Sequence, residues 1–227
     1  MRALIFDVDG TLAETEELHR AAFNLAFRDA RLGWHWDPPL YAELLAVTGG
    51  KERIRYAIER GARPALDAAA IATLHAAKTA HYTSGIGAIP LRPGISRLLD
   101  EAEASGVTLA IATTTSPANV QALLHATLGA NGPARFAVIG AGDVVPRKKP
   151  APDIYAHVLR QLSLAADQCL AIEDTPQGLQ AAQGAGICTV ITRSLYGGSE
   201  GFCTAAAVLD DLAHTSLVQL RAYSSSR

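Results

Sequence analysis

Short apolar segments alternate with segments of helical spacing from about residue 92 onward, and this alternation restricts the fold more than any other feature. The apolar segments span 107–112, 136–139, 170–172 and 188–191. The predicted helices that separate or follow them span 95–105, 116–128, 153–162 and 176–184. Strands that are apolar throughout, rather than at every second residue, are typical of a parallel sheet covered by helices on both faces. We therefore predict an α/β fold.

The first apolar segment, Ala3–Phe6, matches these strands in type, but a long stretch of helical character follows it. Helical spacing recurs there over 15–30, 39–46, 51–60 and 67–83. The chain returns to the sheet at about Pro90–Pro93. We predict a helical insert over residues 14–91 and a core formed by residues 1–13 and 92–227. Trp34, Trp36 and Tyr41 should pack inside the insert, and the tail 224–227 should be disordered.

Composition excludes several classes of partner. The formal charge of −2 gives no general attraction to nucleic acid or to an anionic membrane. No stretch reaches the roughly 18–20 apolar residues that a membrane helix needs. The three cysteines are widely spaced and form no CxxC pair, so we interpret them as reduced thiols. We expect a cytoplasmic monomer without nucleic-acid or membrane partners.

Four segments carry residues with unusual chemistry at places where strands end or helices begin. They are Asp7-Val8-Asp9-Gly10-Thr11, Thr113-Thr114-Thr115, Arg147-Lys148-Lys149-Pro150 and Glu173-Asp174. Each alone has a structural explanation: an acidic residue after a strand is often a helix N-cap, a threonine run ends a strand, and a loop lysine is solvated. Because ligands bind beyond the carboxyl ends of parallel strands, we expect the four segments to meet at one edge.

Together these segments meet the requirements of phosphoryl transfer. Four carboxylates at one edge repel each other unless a cation binds between them, and hard oxygen ligands suit Mg²⁺. Lys149 and Thr113 would hold a phosphoryl group, and Gly10 permits the sharp turn that brings backbone N–H groups toward it. The sequence therefore predicts a Mg²⁺ site beside a phosphate site.

The same four segments, in the same order, resemble the motifs of the haloacid dehalogenase-like hydrolases over nearly the whole chain. The resemblance implies a Rossmann-like core with a helical cap domain inserted after the first motif. It implies that Asp7 is the nucleophile and that Asp9 is the general acid and later the base. It further implies phosphate binding by Thr113, Thr114 and Lys149, and Mg²⁺ binding by Asp7, the Asp9 backbone carbonyl, Glu173 and Asp174.

The insert resembles one group of this family, the CbbY group. The resemblance lies in 13–20, 48–54 and 77–79, and it is supported by 112–116. It implies a phosphatase that converts xylulose-1,5-bisphosphate to xylulose-5-phosphate and so removes an inhibitor of Rubisco, the carbon-fixing enzyme of the Calvin cycle.

A bisphosphate needs a second anion site away from Mg²⁺. Gly49-Gly50 with Lys51 and Arg53 at a predicted helix start offers backbone N–H groups and two cations. Lys78 and Arg92 would add to this site, and Glu17 and His19 would contact sugar hydroxyls. The structural alternative is that the cations are exposed helix charges and that Glu17 and His19 pack the hinge.

Four other functions are considered at this stage. One is a non-catalytic sugar-phosphate-binding module, against which the four intact motifs argue. A β-phosphoglucomutase-like isomerase would use the same nucleophile and also needs a distal phosphate site, and a phosphoglycolate-type phosphatase would need none. A signalling receiver also carries a phosphorylated aspartate, but the helical insert and the paired Asp9 argue against it.

Overall fold

The computed structural model describes residues 1–225, and within them the core is a six-stranded parallel sheet. The strands are β1 Ala3–Phe6, β2 Thr108–Ala112, β3 Val138–Gly140, β4 Cys169–Glu173, β5 Cys188–Thr192 and β6 Ala207–Leu209. Their order is β3-β2-β1-β4-β5-β6, and every neighbouring pair is parallel. The predicted α/β fold is confirmed, although β3 begins two residues later than expected and β6 was not predicted.

The helices fall into two groups. Between β1 and β2 lie α1 Glu16–Asp29, α2 Pro38–Leu44, α3 Gly50–Glu59, α4 Ala68–Gly85 and α5 Ile95–Ala104. After β2 come α6 Pro117–Leu128, α7 Asp153–Leu162, α8 Pro176–Gly184 and α9 Leu217–Ser225. Helix α9 includes Ser224 and Ser225, so the prediction of a disordered tail is wrong for these two residues, and 226–227 lie outside the described residues. None of these described helices is long and apolar enough to cross a membrane.

The sheet is covered on both faces because alternate residues of a strand point to opposite sides. Leu4 and Phe6 of β1 belong to a cluster that includes residues of α5, α6 and α9. Ala3 and Ile5 belong to a second cluster, on α7 and α8. Each fully buried large side chain contributes roughly 1.5–3 kcal/mol, so the two layers fix the sheet from both sides.

Helices α1–α4 bury an aromatic cluster of their own. Phe23, Phe27, Trp36 and Tyr41 are buried in it. The ring centroids of Phe23 and Trp36 lie 4.6 Å apart, and the Phe27 ring meets Trp36 edge-on at 4.8 Å. This confirms the predicted packing role of the aromatic residues in a helical cap, with Trp34 partly buried beside Phe27. The exact limits 14–91 stay a prediction.

The strand register places the chemically unusual residues at one edge. Phe6 pairs with Ile111 of β2 and with Ile172 of β4. Within two residues of this level, the three strands reach Asp7 after β1, Thr113 after β2, and Glu173-Asp174 at the end of β4, so these residues lie at the same edge of the sheet. Close by, Ala13 and Leu91 form an antiparallel bridge where the chain leaves the core and returns to it.

Candidate active site

A cavity of about 380 Å³ lies between this edge of the sheet and the helical region. From the core it is lined by, among others, Asp7, Asp9, Thr113, Thr114, Lys149 and Asp174. From the helical region it is lined by residues that include Glu16, His19, Gly50, Arg53 and Lys78. The structure thus brings most of the predicted site residues together in one cavity.

Lys149 lies between two carboxylates at the base of the cavity. Its Nζ is 2.5 Å from Asp7 Oδ1 and 2.6 Å from Glu173 Oε1. The Tyr155 hydroxyl donates to the same Glu173 oxygen at 2.5 Å. Burial works against a charged lysine, but the attraction of the two carboxylates is larger and raises the pKa of Lys149 above its ordinary value. Lys149 is therefore a fixed cation beside Asp7.

One lysine does not balance the acidic groups at this edge. Single oxygens of Asp7, Glu173 and Asp174 all lie within 4.8 Å of one another. Burial raises the pKa of Asp7 to about 8, with Glu173 and Asp9 adding to the effect and Lys149 opposing it. Burial, Asp7 and Glu173 also raise the pKa of Asp174 well above its ordinary value. The cluster is short of positive charge, and its hard oxygen donors fit Mg²⁺.

Gly10 is required where the loop after β1 passes this cluster. Its φ is +78°, in the left-handed region that favours glycine. A Cβ at this position would lie 2.1 Å from Asp174 Oδ2. Any other residue would therefore displace the Asp174 carboxylate from the cluster.

Asp9 is held by residues on the segment that leads into the helical region. Its Oδ1 accepts a hydrogen bond from the Thr15 hydroxyl at 2.5 Å and lies 2.9 Å from His19 Nε2. His19 Nδ1 in turn contacts Lys78 Nζ, and the imidazole stacks on Tyr82 with centroids 4.2 Å apart. Although burial disfavours the charged form, the attraction and hydrogen bonds of this network keep the pKa of Asp9 below its ordinary value.

Burial also disfavours the charged form of Lys78, the cation of this network. It lowers the pKa of Lys78 to about 7, while Asp9 and Glu16 work against that shift. Lys78 is 3% exposed, so the predicted exposed-charge alternative does not apply to it.

The loop between β2 and α6 forms the side of the cavity where Thr113 and Thr114 are predicted to bind phosphate. Thr113 is buried, and its Oγ accepts a hydrogen bond from the Thr115 backbone N–H at 3.2 Å. Ser116 caps α6 by accepting from the Asn119 backbone N–H, and Pro117 follows it. The helix predicted from residue 116 is thus confirmed, with Ser116 as its N-cap, and the N-terminus of α6 lies at the cavity, where an anion is stabilised.

Arg53 forms part of the wall contributed by the helical region. It is 8% exposed, and its Nη1 donates to the Tyr41 hydroxyl at 3.0 Å. The Tyr41 hydroxyl donates to Glu16 Oε2 at 2.6 Å. Arg53 Nε is buried and has no hydrogen-bond partner among residues 1–225. A buried, incompletely bonded guanidinium in a cavity wall is a ready anion site.

Two predicted cap residues lie outside the cavity lining. Lys51 Nζ contacts the Asp143 carboxylate, which the core contributes. Glu17 accepts hydrogen bonds from Arg20, at 2.8 Å from Nη2, and from the Tyr196 hydroxyl. In this conformation both side chains connect parts of the protein and do not face the cavity.

Arg92 also lies outside the lining and acts at the hinge. Its Nε is 3.2 Å from Glu14 Oε1, its Nη1 donates to the Gly10 carbonyl, and its Nη2 donates to the Asp210 carbonyl at 3.0 Å. It ties the entry of the helical region to the loops of the core rather than extending a phosphate site. Glu173 likewise lies beneath the cavity, where it orients Lys149.

Sequence reasoning missed Glu16 and Tyr196, which both line the cavity. A signal existed for Glu16, because it lies three residues before His19 and therefore on the same face of α1. Glu17 is turned away from that face. Tyr196 lies in a Gly- and Ser-rich loop after β5, where no periodic pattern indicates direction.

The chain belongs to the haloacid dehalogenase-like hydrolase family, whose model matches residues 1–186, and it is therefore an enzyme, a hydrolase. Within the family its relatives include several CbbY proteins. It is 52% identical over 218 residues to "Protein CbbY, plasmid" of Cupriavidus necator, a match that covers 93% of this chain and 86% of the relative. It is 47% identical to Protein CbbY of Cereibacter sphaeroides, with 94% of this chain and 93% of the relative covered.

Solved structures agree with this placement. CbbY from Rhodobacter sphaeroides in complex with phosphate has a TM-score of 0.93 at 45% identity, covering 97% of this chain and 99% of that one. A mutant of the same protein in complex with xylulose-(1,5)bisphosphate has a TM-score of 0.92 at 44% identity, with the same coverage. A β-phosphoglucomutase from Clostridium difficile, at 21% identity and a TM-score of 0.84, shares the fold. The resemblance noted in the sequence is confirmed at the level of the CbbY group.

Proposed function

We propose that this enzyme is a Mg²⁺-dependent phosphatase that hydrolyses xylulose-1,5-bisphosphate to xylulose-5-phosphate. The observation that carries the proposal is the pairing, in one cavity, of the Asp7–Asp9 site on the core with a buried, incompletely bonded Arg53 on the helical region. Such a cavity suits a short substrate with an anionic group at each end. The similarity to a CbbY structure bound to that bisphosphate supports the same substrate.

Asp7, the Asp9 backbone carbonyl and Asp174 would hold Mg²⁺, with Glu173 supporting them through Lys149. When bound, Mg²⁺ supplies the positive charge that the carboxylates require and polarises the phosphoryl group. Lys149, Thr113 and Thr114 hold the remaining phosphoryl oxygens. Phosphoryl transfer depends mainly on such positioning and charge stabilisation.

The reaction then proceeds in two steps. A carboxylate oxygen of Asp7 attacks phosphorus, the bond to the sugar oxygen breaks, and Asp9 gives a proton to that oxygen. Burial favours the protonated form of Asp9, but its contacts with His19 and Thr15 keep its pKa low in the free enzyme, so Asp9 takes up this proton when the negatively charged substrate binds beside it. In the second step water attacks the phosphorus of the aspartyl-phosphate, the bond between phosphorus and the Asp7 oxygen breaks, and inorganic phosphate leaves. Asp9 takes a proton from the attacking water and is ready to donate it in the next turnover. Thr15 and His19 both contact Asp9 Oδ1, so they fix its orientation and leave Oδ2 for proton exchange.

The second phosphate binds at the helical wall. Arg53 supplies the cation, and α3 begins at Gly50, so its free backbone N–H groups add donors. His19 and Glu16 line the cavity together with these anion sites and are suited to contact the sugar hydroxyls. Lys78 adds charge when protonated.

Product analysis tests the proposal against the isomerase. Xylulose-1,5-bisphosphate is incubated with the enzyme and Mg²⁺, and products are identified by mass spectrometry and ³¹P NMR. We expect equal amounts of inorganic phosphate and xylulose-5-phosphate, no product in EDTA, and none from Asp7→Asn. A rearranged phosphate ester without free phosphate would contradict the proposal. A cytoplasmic location and a monomeric state remain predictions from the sequence.

A further inference from the structure

The loop after β5 packs against Asp174, one of the residues proposed to bind Mg²⁺. Ser194 Oγ donates to Asp174 Oδ2 at 2.6 Å. At Gly197, a Cβ would lie 2.2 Å from the Asp174 backbone carbonyl oxygen and 2.7 Å from Ser194 Oγ. Only glycine allows so close an approach, so residues 194–197 follow the position of Asp174 closely. None of the four family motifs includes this loop.

The same loop reaches the helical region through Tyr196. Its hydroxyl donates to the Glu17 carboxylate on α1. Its ring meets the Tyr41 ring edge-on, with centroids 5.8 Å apart and an interplanar angle of 87°. Tyr41 is the residue that joins Arg53 to Glu16. Tyr196 therefore connects the loop seated on Asp174 to the wall that carries the distal cation.

Glu17 does not depend on Tyr196 for a charged partner. Glu17 already forms an ion pair with Arg20, three residues along the same helix. The hydrogen bond between Tyr196 and Glu17 joins side chains from the core and from the helical region, and it exists only while the two are close together. It is the kind of contact that stabilises a closed cavity more than either part alone.

We propose that Tyr196 is a positioning residue that holds α1 over the occupied cavity and thereby favours substrates that reach from Asp7 to Arg53. The inference rests on the proposed function, since it assumes a substrate with a second phosphate. A substrate that ends near Asp7 makes no contact with Arg53, whereas a bisphosphate binds both sides of the cavity.

The test compares Tyr196→Phe and Tyr196→Ala with wild type on xylulose-1,5-bisphosphate and on p-nitrophenyl phosphate, which has no second phosphate. Tyr56→Phe is the matched control, because Tyr56 lies on α3 and its hydroxyl bonds, within residues 1–225, only to the exposed Arg60. For Tyr196→Phe we expect KM for the bisphosphate to rise about three- to tenfold with kcat nearly unchanged, since the lost contact stabilises the bound and transition states alike. Tyr196→Ala should lose more, and in both variants the loss on the aryl phosphate should be several-fold smaller than the loss on the bisphosphate.

A loss shared by both substrates would indicate a merely structural role and overturn the inference, as would an unchanged KM in both variants. A readout without sugar substrate separates this inference from the proposed function. With Mg²⁺ and inorganic phosphate present, hydrogen exchange of the α1 amides should be faster in Tyr196→Phe than in wild type or Tyr56→Phe. Equal exchange in all three proteins would refute the inference even if no sugar bisphosphate proves to be a substrate.

Discussion

Replacement of Arg53 is the perturbation whose effect follows most directly from the structure. The guanidinium is buried, contacts the Tyr41 hydroxyl at 3.0 Å and lies 5.2 Å from the centre of the Tyr41 ring, and its Nε has no partner among the described residues. A hydrogen bond to a charged group contributes about 1.5–3 kcal/mol. Since about 1.4 kcal/mol is a factor of ten, Arg53→Ala should lower kcat/KM for xylulose-1,5-bisphosphate roughly 10- to 150-fold.

The assay measures phosphate release from that bisphosphate and from xylulose 1-phosphate, which lacks the distal phosphate. The loss should be confined to the bisphosphate. Arg53→Lys, which keeps the charge but not the fork of donors, should give an intermediate loss. Arg55→Ala is the control, because Arg55 lies two residues further along α3, is exposed, and in the described part of the chain forms an ion pair only with Glu52. An equal loss on both substrates, or the same loss in Arg55→Ala, would refute a distal clamp at Arg53.

Three further predictions follow from the other contacts. Asp9→Asn should collapse turnover because the leaving oxygen loses its acid, yet Mg²⁺ binding measured by calorimetry should persist; undiminished phosphate release would rule out that role. Lys51→Met and Asp143→Asn should each raise KM for xylulose-1,5-bisphosphate by no more than about fivefold, because the ion pair that they break is partly exposed. The double variant should raise this KM no further than either single variant. A rise in KM in Lys51→Met without a rise in Asp143→Asn would indicate that Lys51 contacts the phosphate directly. Lys78 should also affect stability, because its pKa is about 7 in the folded protein and near 10.5 in the unfolded chain. Between these two pH values the unfolded state binds more protons than the folded state. The contribution of Lys78 to the free energy of unfolding therefore rises with pH over this range. Urea unfolding should show that rise in wild type and lose it in Lys78→Met, and parallel curves would contradict the buried, weakly basic lysine.

The core side of the site was largely predictable because most of its residues follow a recognisable strand. Asp7, Thr113 and Asp174 come directly after apolar segments, and parallel strands bring their carboxyl ends to one edge. The helix start at Gly50 and the cap at Ser116 were predictable for a similar reason, because glycine, serine and proline mark helix ends locally.

The contacts between the core and the helical region were not predictable in the same way. Lys51 meets Asp143, which is 92 residues away in the chain, and no local pattern indicates that partner. Tyr196 lies in a loop without periodicity, so its direction depends on the way the loop packs on Asp174. Strand β6 has only three half-buried residues, too few to show a pattern.

The central claim is that one cavity combines the aspartate chemistry of the core with a distal phosphate site. It is tested most directly by measuring phosphate release, with and without Mg²⁺, from xylulose-1,5-bisphosphate, ribulose-1,5-bisphosphate, phosphoglycolate and β-glucose-1-phosphate in parallel. We predict a strong, Mg²⁺-dependent preference for the xylulose compound. Release mainly from phosphoglycolate would contradict the distal site while preserving a nucleophilic Asp7, and no release from any of the four would contradict the phosphatase itself.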